Sequence, residues 1–139
     1  MTKVILQVYP TVGDTTEMAR RRPIGRDSDA YQAMLASLVE LVQAADTLGY
    51  WGITHVEHHA HSEGLEISPD PLLLNVYLGH FTKRLMHGQL GIVVPTHDPV
   101  RLAAQIAIAE SWSRKFGQRD RWSFCLMTGT LCPSNQERS

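Results

Sequence analysis

The stretch from Met34 to Glu57, MLASLVELVQAADTLGYWGITHVE, decides the fold. Its first half places Met34, Leu35, Leu38, Leu41, Val42, Ala45 and Leu48 three and four residues apart, the spacing of one helix face. Asp27 or Ser28 can cap this helix, and Gly49 stands where a helix ends on a left-handed residue. Tyr50 to Glu57 then reads as a strand after a very short turn. Upstream, Val4-Ile5-Leu6-Gln7-Val8-Tyr9 is a second apolar strand, ended by Pro10. Downstream, residues 72–85 return to a helical pattern through Leu73, Val76, Tyr77, His80 and Phe81. Gln89 to Val94 is a third strand, closed by Pro95. Pro99 opens another helix, at the position where a missing N–H costs nothing, with Leu102, Ala103, Ile106, Ala107 and Ala109 as apolar positions. Strands apolar on both faces that alternate with helices imply parallel βα units.

Composition narrows the function classes. With 139 residues the chain suits one domain, and 43% hydrophobic with 19% charged residues excludes a disordered or fibrous class. Thirteen Lys and Arg against 14 Asp and Glu give a net charge of -1, so a nucleic-acid grip is not expected. No apolar run approaches the roughly 20 residues of a bilayer-spanning helix, and the start shows no signal-peptide pattern. Cys125 and Cys132 are too few for a secreted disulfide scaffold. The expectation is a soluble cytoplasmic protein without membrane partners. The polar stretch from Thr11 to Asp27, with Arg20, Arg21, Arg22 and Arg26, reads as a solvated loop, an anion contact being the lesser alternative.

The densest chemical signal is His55-Val56-Glu57-His58-His59-Ala60-His61, four of the seven histidines, where the second strand runs into a polar loop. Ligands gather at the carboxyl ends of parallel strands. Alternation puts His55, Glu57 and His59 on one face and Val56 and His58 on the other. Three readings compete. The spacing matches no zinc pattern, since the helical His-Glu-x-x-His arrangement is absent, so no metal ligand set is assigned. His55 and His61 read as histidines satisfied by loop carbonyls. An imidazole beside an organic cofactor, moving a proton near neutral pH, is the third reading, favoured for His58.

The Glu57-His58-His59 triplet at the end of a second strand resembles the bacterial luciferase-like family of flavin-dependent oxidoreductases. Glu63-Gly64-Leu65-Glu66-Ile67-Ser68-Pro69-Asp70-Pro71 resembles the family's following loop. Gly88 to Ala103, GQLGIVVPTHDPVRLA, resembles its third strand and the start of its third helix. The resemblance covers roughly residues 1 to 110. It implies an eight-fold βα barrel that binds reduced FMN, or in some branches a reduced deazaflavin. Such a barrel uses oxygen to oxidise a small organic substrate, with the flavin supplying the chemistry. By position His58 matches the family's catalytic histidine. Leu90-Gly91 matches the cofactor-binding place where the family has a non-proline cis peptide; the plainer alternative is that Gly91 lets a strand bend. Arg101 is expected to face solvent or pair with an acid, and His97 either reaches a ligand or caps the third helix. A flavin reductase partner and a homodimer are implied by the resemblance only.

The resemblance stops near Glu110. Ser111 to Arg121 departs from the family's pattern, and a closed barrel needs ~250 residues. The expected fold class is therefore α/β, the N-terminal three βα units of a TIM-type barrel, truncated. Residues 1–110 form the partial barrel. Residues 111–139 form an atypical tail, frame-shifted or irregular, with a weak strand at Trp122 to Met127. The alternative to a working monooxygenase is a catalytically inactive fragment, or an interaction partner of a full-length subunit.

Overall fold

The computed structural model describes residues 2–115 and 122–127. A parallel sheet is formed by β1 (Ile5–Gln7), β2 (Gly52–His55) and β3 (Met86–Val93), and a fourth strand, β4 (Trp122–Met127), pairs beside β3. All neighbours are parallel and in chain order: Leu6 pairs with Ile53, Ile53 with His87, and His87 with Trp122. Between β1 and β2 lie α1 (Thr15–Arg20) and α2 (Ser28–Leu48). The helix α3 (Pro71–Gly79) leads to β3, and α4 (Pro99–Lys115) follows it. Among the described residues no helix is long and apolar enough to cross a membrane.

Helix α2 is the longest element and makes the core. Met34, Leu38, Val42 and Ala45 are buried against Ile53 of β2, Leu74 and Leu78 of α3, and Leu85 before β3. Asp27 caps its start by accepting from the Ala30 N–H, and Gly49 ends it at φ 80. The apolar stripe is narrower than the sequence suggests, because Leu48 is 75% exposed and Leu41 sits at its edge.

Several expected boundaries are corrected. The stretch 11–27 is not all loop. Asp14 accepts from the N–H groups of Thr16 and Glu17, and the Glu17 carboxylate accepts from the Asp14 N–H, a capping box that nucleates α1. A short 3-10 turn over Ile24–Arg26 follows and buries Ile24. The helical pattern over 72–85 also ends early, at Gly79, because Asp46 at the end of α2 competes for the chain. Its carboxylate accepts from the N–H groups of Lys83, Arg84 and Leu85 at 2.7–2.8 Å. Those donors would otherwise bond carbonyls one turn back, so the chain leaves the helix and enters β3 at Met86, three residues before the expected Gln89. Burial raises the Asp46 carboxyl, but these three bonds and Arg84 outweigh it and hold it below the usual range. Asp46→Ala, by stranding three N–H groups at the α3–β3 turn, is expected to cost about 2 kcal/mol in urea unfolding.

α4 runs past Glu110, where the tail was expected to begin, to Lys115. The weak strand at Trp122 to Met127 is β4. The remainder of the expected tail, residues 116–121 and 128–139, lies outside the described residues.

Candidate functional site at the carboxyl ends of the strands

Glu57 lies two residues beyond β2, and its side chain is fully buried. One carboxylate oxygen accepts from the Val93 N–H at 2.8 Å; the other accepts from the Thr96 hydroxyl at 3.0 Å. His97 Nε2 lies within 3.0 Å of both oxygens, and His59 Nε2 lies 2.6 Å from Oε1. Burial raises the Glu57 carboxyl, but the bonds from His97, His59, Val93 and Thr96 outweigh it, and the group titrates below its usual value. It is therefore an ionised clamp between the ends of β2 and β3. His97 serves that clamp, while the start of α4 is capped by Asp98, which accepts from the Arg101 N–H at 2.8 Å. Arg101 is exposed, as expected.

His58 follows the clamp. Its main-chain N–H is held by the Ser68 carbonyl at 3.0 Å, and its Nε2 lies 3.2 Å from Glu66 Oε2. The ring faces a cavity of about 270 Å³ whose wall includes Gly25, Arg26, His58, Ala60, His61 and Ile67. A larger cavity of about 430 Å³ lies between Tyr9 and α2; its wall includes Arg21 of the arginine-rich stretch but not His58, Leu90 or Gly91. His55 and His61 bond the carbonyls of Val8 and Leu65 through Nδ1.

Leu90 and Gly91 lie on β3 just beyond Gln89, which pairs with His55. They thus share the carboxyl end of adjacent strands with His58, but the cavity that His58 lines does not include them. The Leu90–Gly91 peptide is not cis: the one cis bond among the described residues is Arg22–Pro23. What the site has instead is a bulge. Gly91 takes φ 118, and the β3–β4 register slips between Leu90 and Ile92. A positive φ of this size favours glycine, and it leaves Leu90 40% exposed beside a residue without a side chain.

Neither Glu57 nor Glu66 is given a role by the sequence: Glu57 is placed only on a strand face with His55 and His59, and Glu66 only in a matching stretch. The signal for Glu57 was its place between two strand-end histidines. Nothing local pointed to Glu66, which a reversal of the loop brings back onto His58.

A parallel α/β sheet with its polar side chains gathered at the strand ends is the architecture of ligand-binding and catalytic βα proteins. The sequence pattern of the luciferase-like monooxygenases matches residues 18–114, and the chain belongs to that family. Among curated relatives, the oxygenase component of a flavin-dependent trigonelline monooxygenase from Acinetobacter baylyi is 31% identical over 84 residues, 60% of this chain and 23% of its own. An uncharacterized protein of Bacillus subtilis, YddN, is 28% identical over 86 residues, 62% of this chain and 25% of its own. The chain thus spans about a quarter of the length of the curated relatives it matches. Two solved structures share the fold. The monooxygenase RslO1 from Streptomyces bottropensis superposes with a TM-score of 0.70 at 22% identity, over 94% of this chain and 34% of that one. The oxygenating constituent of 3,6-diketocamphane monooxygenase from Pseudomonas putida, a type II Baeyer-Villiger enzyme in complex with FMN, superposes at 0.68 with 19% identity, over 94% and 30%.

Proposed function

We propose that the chain carries the flavin-facing N-terminal part of a monooxygenase that uses reduced FMN and oxygen to oxidise a small organic substrate. The observation that carries this reading is His58, half-exposed on a cavity at the strand ends and backed by the ionised Glu57 clamp. The residues present fit one side of a flavin. Exposed Leu90 offers an apolar surface, and Gly91 at φ 118 has no side chain to obstruct a close approach. When bound, the flavin supplies the electrons that reduce oxygen. His58 donates to or accepts from the cofactor and moves a proton at Nε2, an atom that Glu66 orients. Glu57 holds the two strand ends in place, and Leu90 would offer the ring an apolar contact beside the open backbone of Gly91.

The FMN-bound neighbour and the flavin-dependent relative support FMN over a deazaflavin. That relative's name, an oxygenase component, supports a separate reductase as the source of reduced flavin. Pairing of two chains through outer helices is supported by an apolar groove lined by Leu73 of α3 and Ile108 of α4, which are 65% and 68% exposed. Titration of FMN against the purified chain should quench flavin fluorescence saturably at one flavin per chain. In a version extended to the relatives' length, His58→Ala should lower turnover roughly 100-fold, within the usual range for a lost acid–base group. Quenching that rises linearly without saturation would favour the inactive-fragment reading.

A further inference from the structure

We infer that His58, His61 and Glu66 form a binding site for a divalent cation of the zinc class. One ligand atom from each of the three lies within 4.8 Å of the other two. The His58 Nε2 to Glu66 Oε2 separation is 3.2 Å. Two ligands at bond lengths of roughly 2.0–2.1 Å around a tetrahedral ion lie about 3.3 Å apart, so this edge is already at coordination distance. The His58 and His61 rings meet edge to face with centroids 5.0 Å apart. His61 Nδ1 bonds the Leu65 carbonyl at 3.0 Å, which leaves Nε2 of that ring with the lone pair. A metal-binding histidine is oriented in this way by a carbonyl behind it.

The loop is built to hold this arrangement. Ala60 and Glu66 take φ 63 and 49, left-handed conformations that side chains other than glycine adopt at a cost. They bracket the reversal that carries Glu66 back to His58. The loop is tied down by the His58 N–H to Ser68 and by the Gly25 N–H to the Ser62 carbonyl at 2.9 Å. At Gly25 a Cβ would stand 2.7 Å from the His61 carbonyl oxygen, so only glycine lets the two segments meet. Two imidazoles with one carboxylate select a borderline ion such as Zn²⁺ over Mg²⁺ or Ca²⁺, which take oxygen ligands. Three protein ligands leave a fourth position, open to the cavity that Arg26 also lines, where water or an anion completes the shell.

On the function proposed above, a bound ion would take the imidazole nitrogen that His58 offers the flavin, so metal and flavin chemistry would exclude each other. Cation binding itself does not depend on that reading. Calorimetric titration of the purified chain with zinc chloride should show saturable binding of one ion. The ring signals of His58 and His61, but not of His59, should move in NMR spectra. Glu66→Gly, which relieves the left-handed backbone while removing the carboxylate, and His61→Ala should each weaken Zn²⁺ binding by roughly tenfold or more. His80→Asn, outside the cluster, should leave it unchanged. The proposal is overturned if no one-to-one binding is seen, or if a folded Glu66→Gly chain, checked by circular dichroism, binds Zn²⁺ as tightly as the parent.

Discussion

Glu57→Ala should lower the free energy of unfolding by about 3–4 kcal/mol, the usual cost of breaking one side of a buried charged network. Four groups converge on this carboxylate; its removal strands the Val93 N–H and the rings of His59 and His97, while the Thr96 hydroxyl keeps the Val93 carbonyl as acceptor at 2.7 Å. Glu57→Gln keeps the shape and two lone pairs but places an NH2 group where a donor already points, so an intermediate loss is expected. Urea unfolding of the three chains checks the order. Since Glu57 joins the end of β2 to the end of β3, its loss should also loosen the loop that carries His58. Hydrogen exchange at residues 58–68 should accelerate more than exchange in α2. Equal protection of that loop in the Glu57→Ala chain would show that the clamp does not position it.

The second large effect is a loss of stability in weak acid that traces to His55. The ring is fully buried; its Nδ1 bonds the Val8 carbonyl at 3.1 Å and its Nε2 has no partner among the described residues. Burial disfavours the charged ring, only partly offset by the Val8 carbonyl, and pulls its pKa from 6.5 down to about 4. The unfolded chain therefore binds a proton that the folded chain refuses between those two values. Stability from this group is fully present above pH 6.5, falls as the pH drops toward 4, and by then has lost roughly 3 kcal/mol. The carboxylates of Asp46 and Glu57, both held below their usual range, add a further loss at lower pH with the same sign. His55→Gln should flatten the stability profile between pH 6.5 and 4, as measured by thermal unfolding at stepped pH. A parent chain with constant stability across that window would refute a buried neutral ring.

The alternation of strand and helix was legible because each element carries a local signal. The three- and four-residue stripe from Met34 to Ala45, Gly49 at the helix end, and Pro99 at a helix start act over one turn of chain, whatever lies around them. The capping box at Asp14 to Glu17 was just as local, and was hidden only by its polar surroundings. The resemblance carried by Glu57-His58-His59 and the β3 segment was likewise linear, and the family match over residues 18–114 rests on the same kind of information.

What the chain order could not show are contacts made between segments far apart along it. Asp46 ends α3 by capturing N–H groups 37 to 39 residues away, which no pattern in residues 72–85 announces. His97 was left between a ligand and a cap because both fit its local position; only the approach of β2 and β3 brings it to Glu57. Glu66 meets His58 through a loop reversal held by left-handed residues and by Gly25. Helix and strand formation is decided over a few residues by backbone geometry and the side chains that cap it. A site is decided by which distant donors and acceptors the packed core brings within 3 Å, and that becomes readable only once the core has formed.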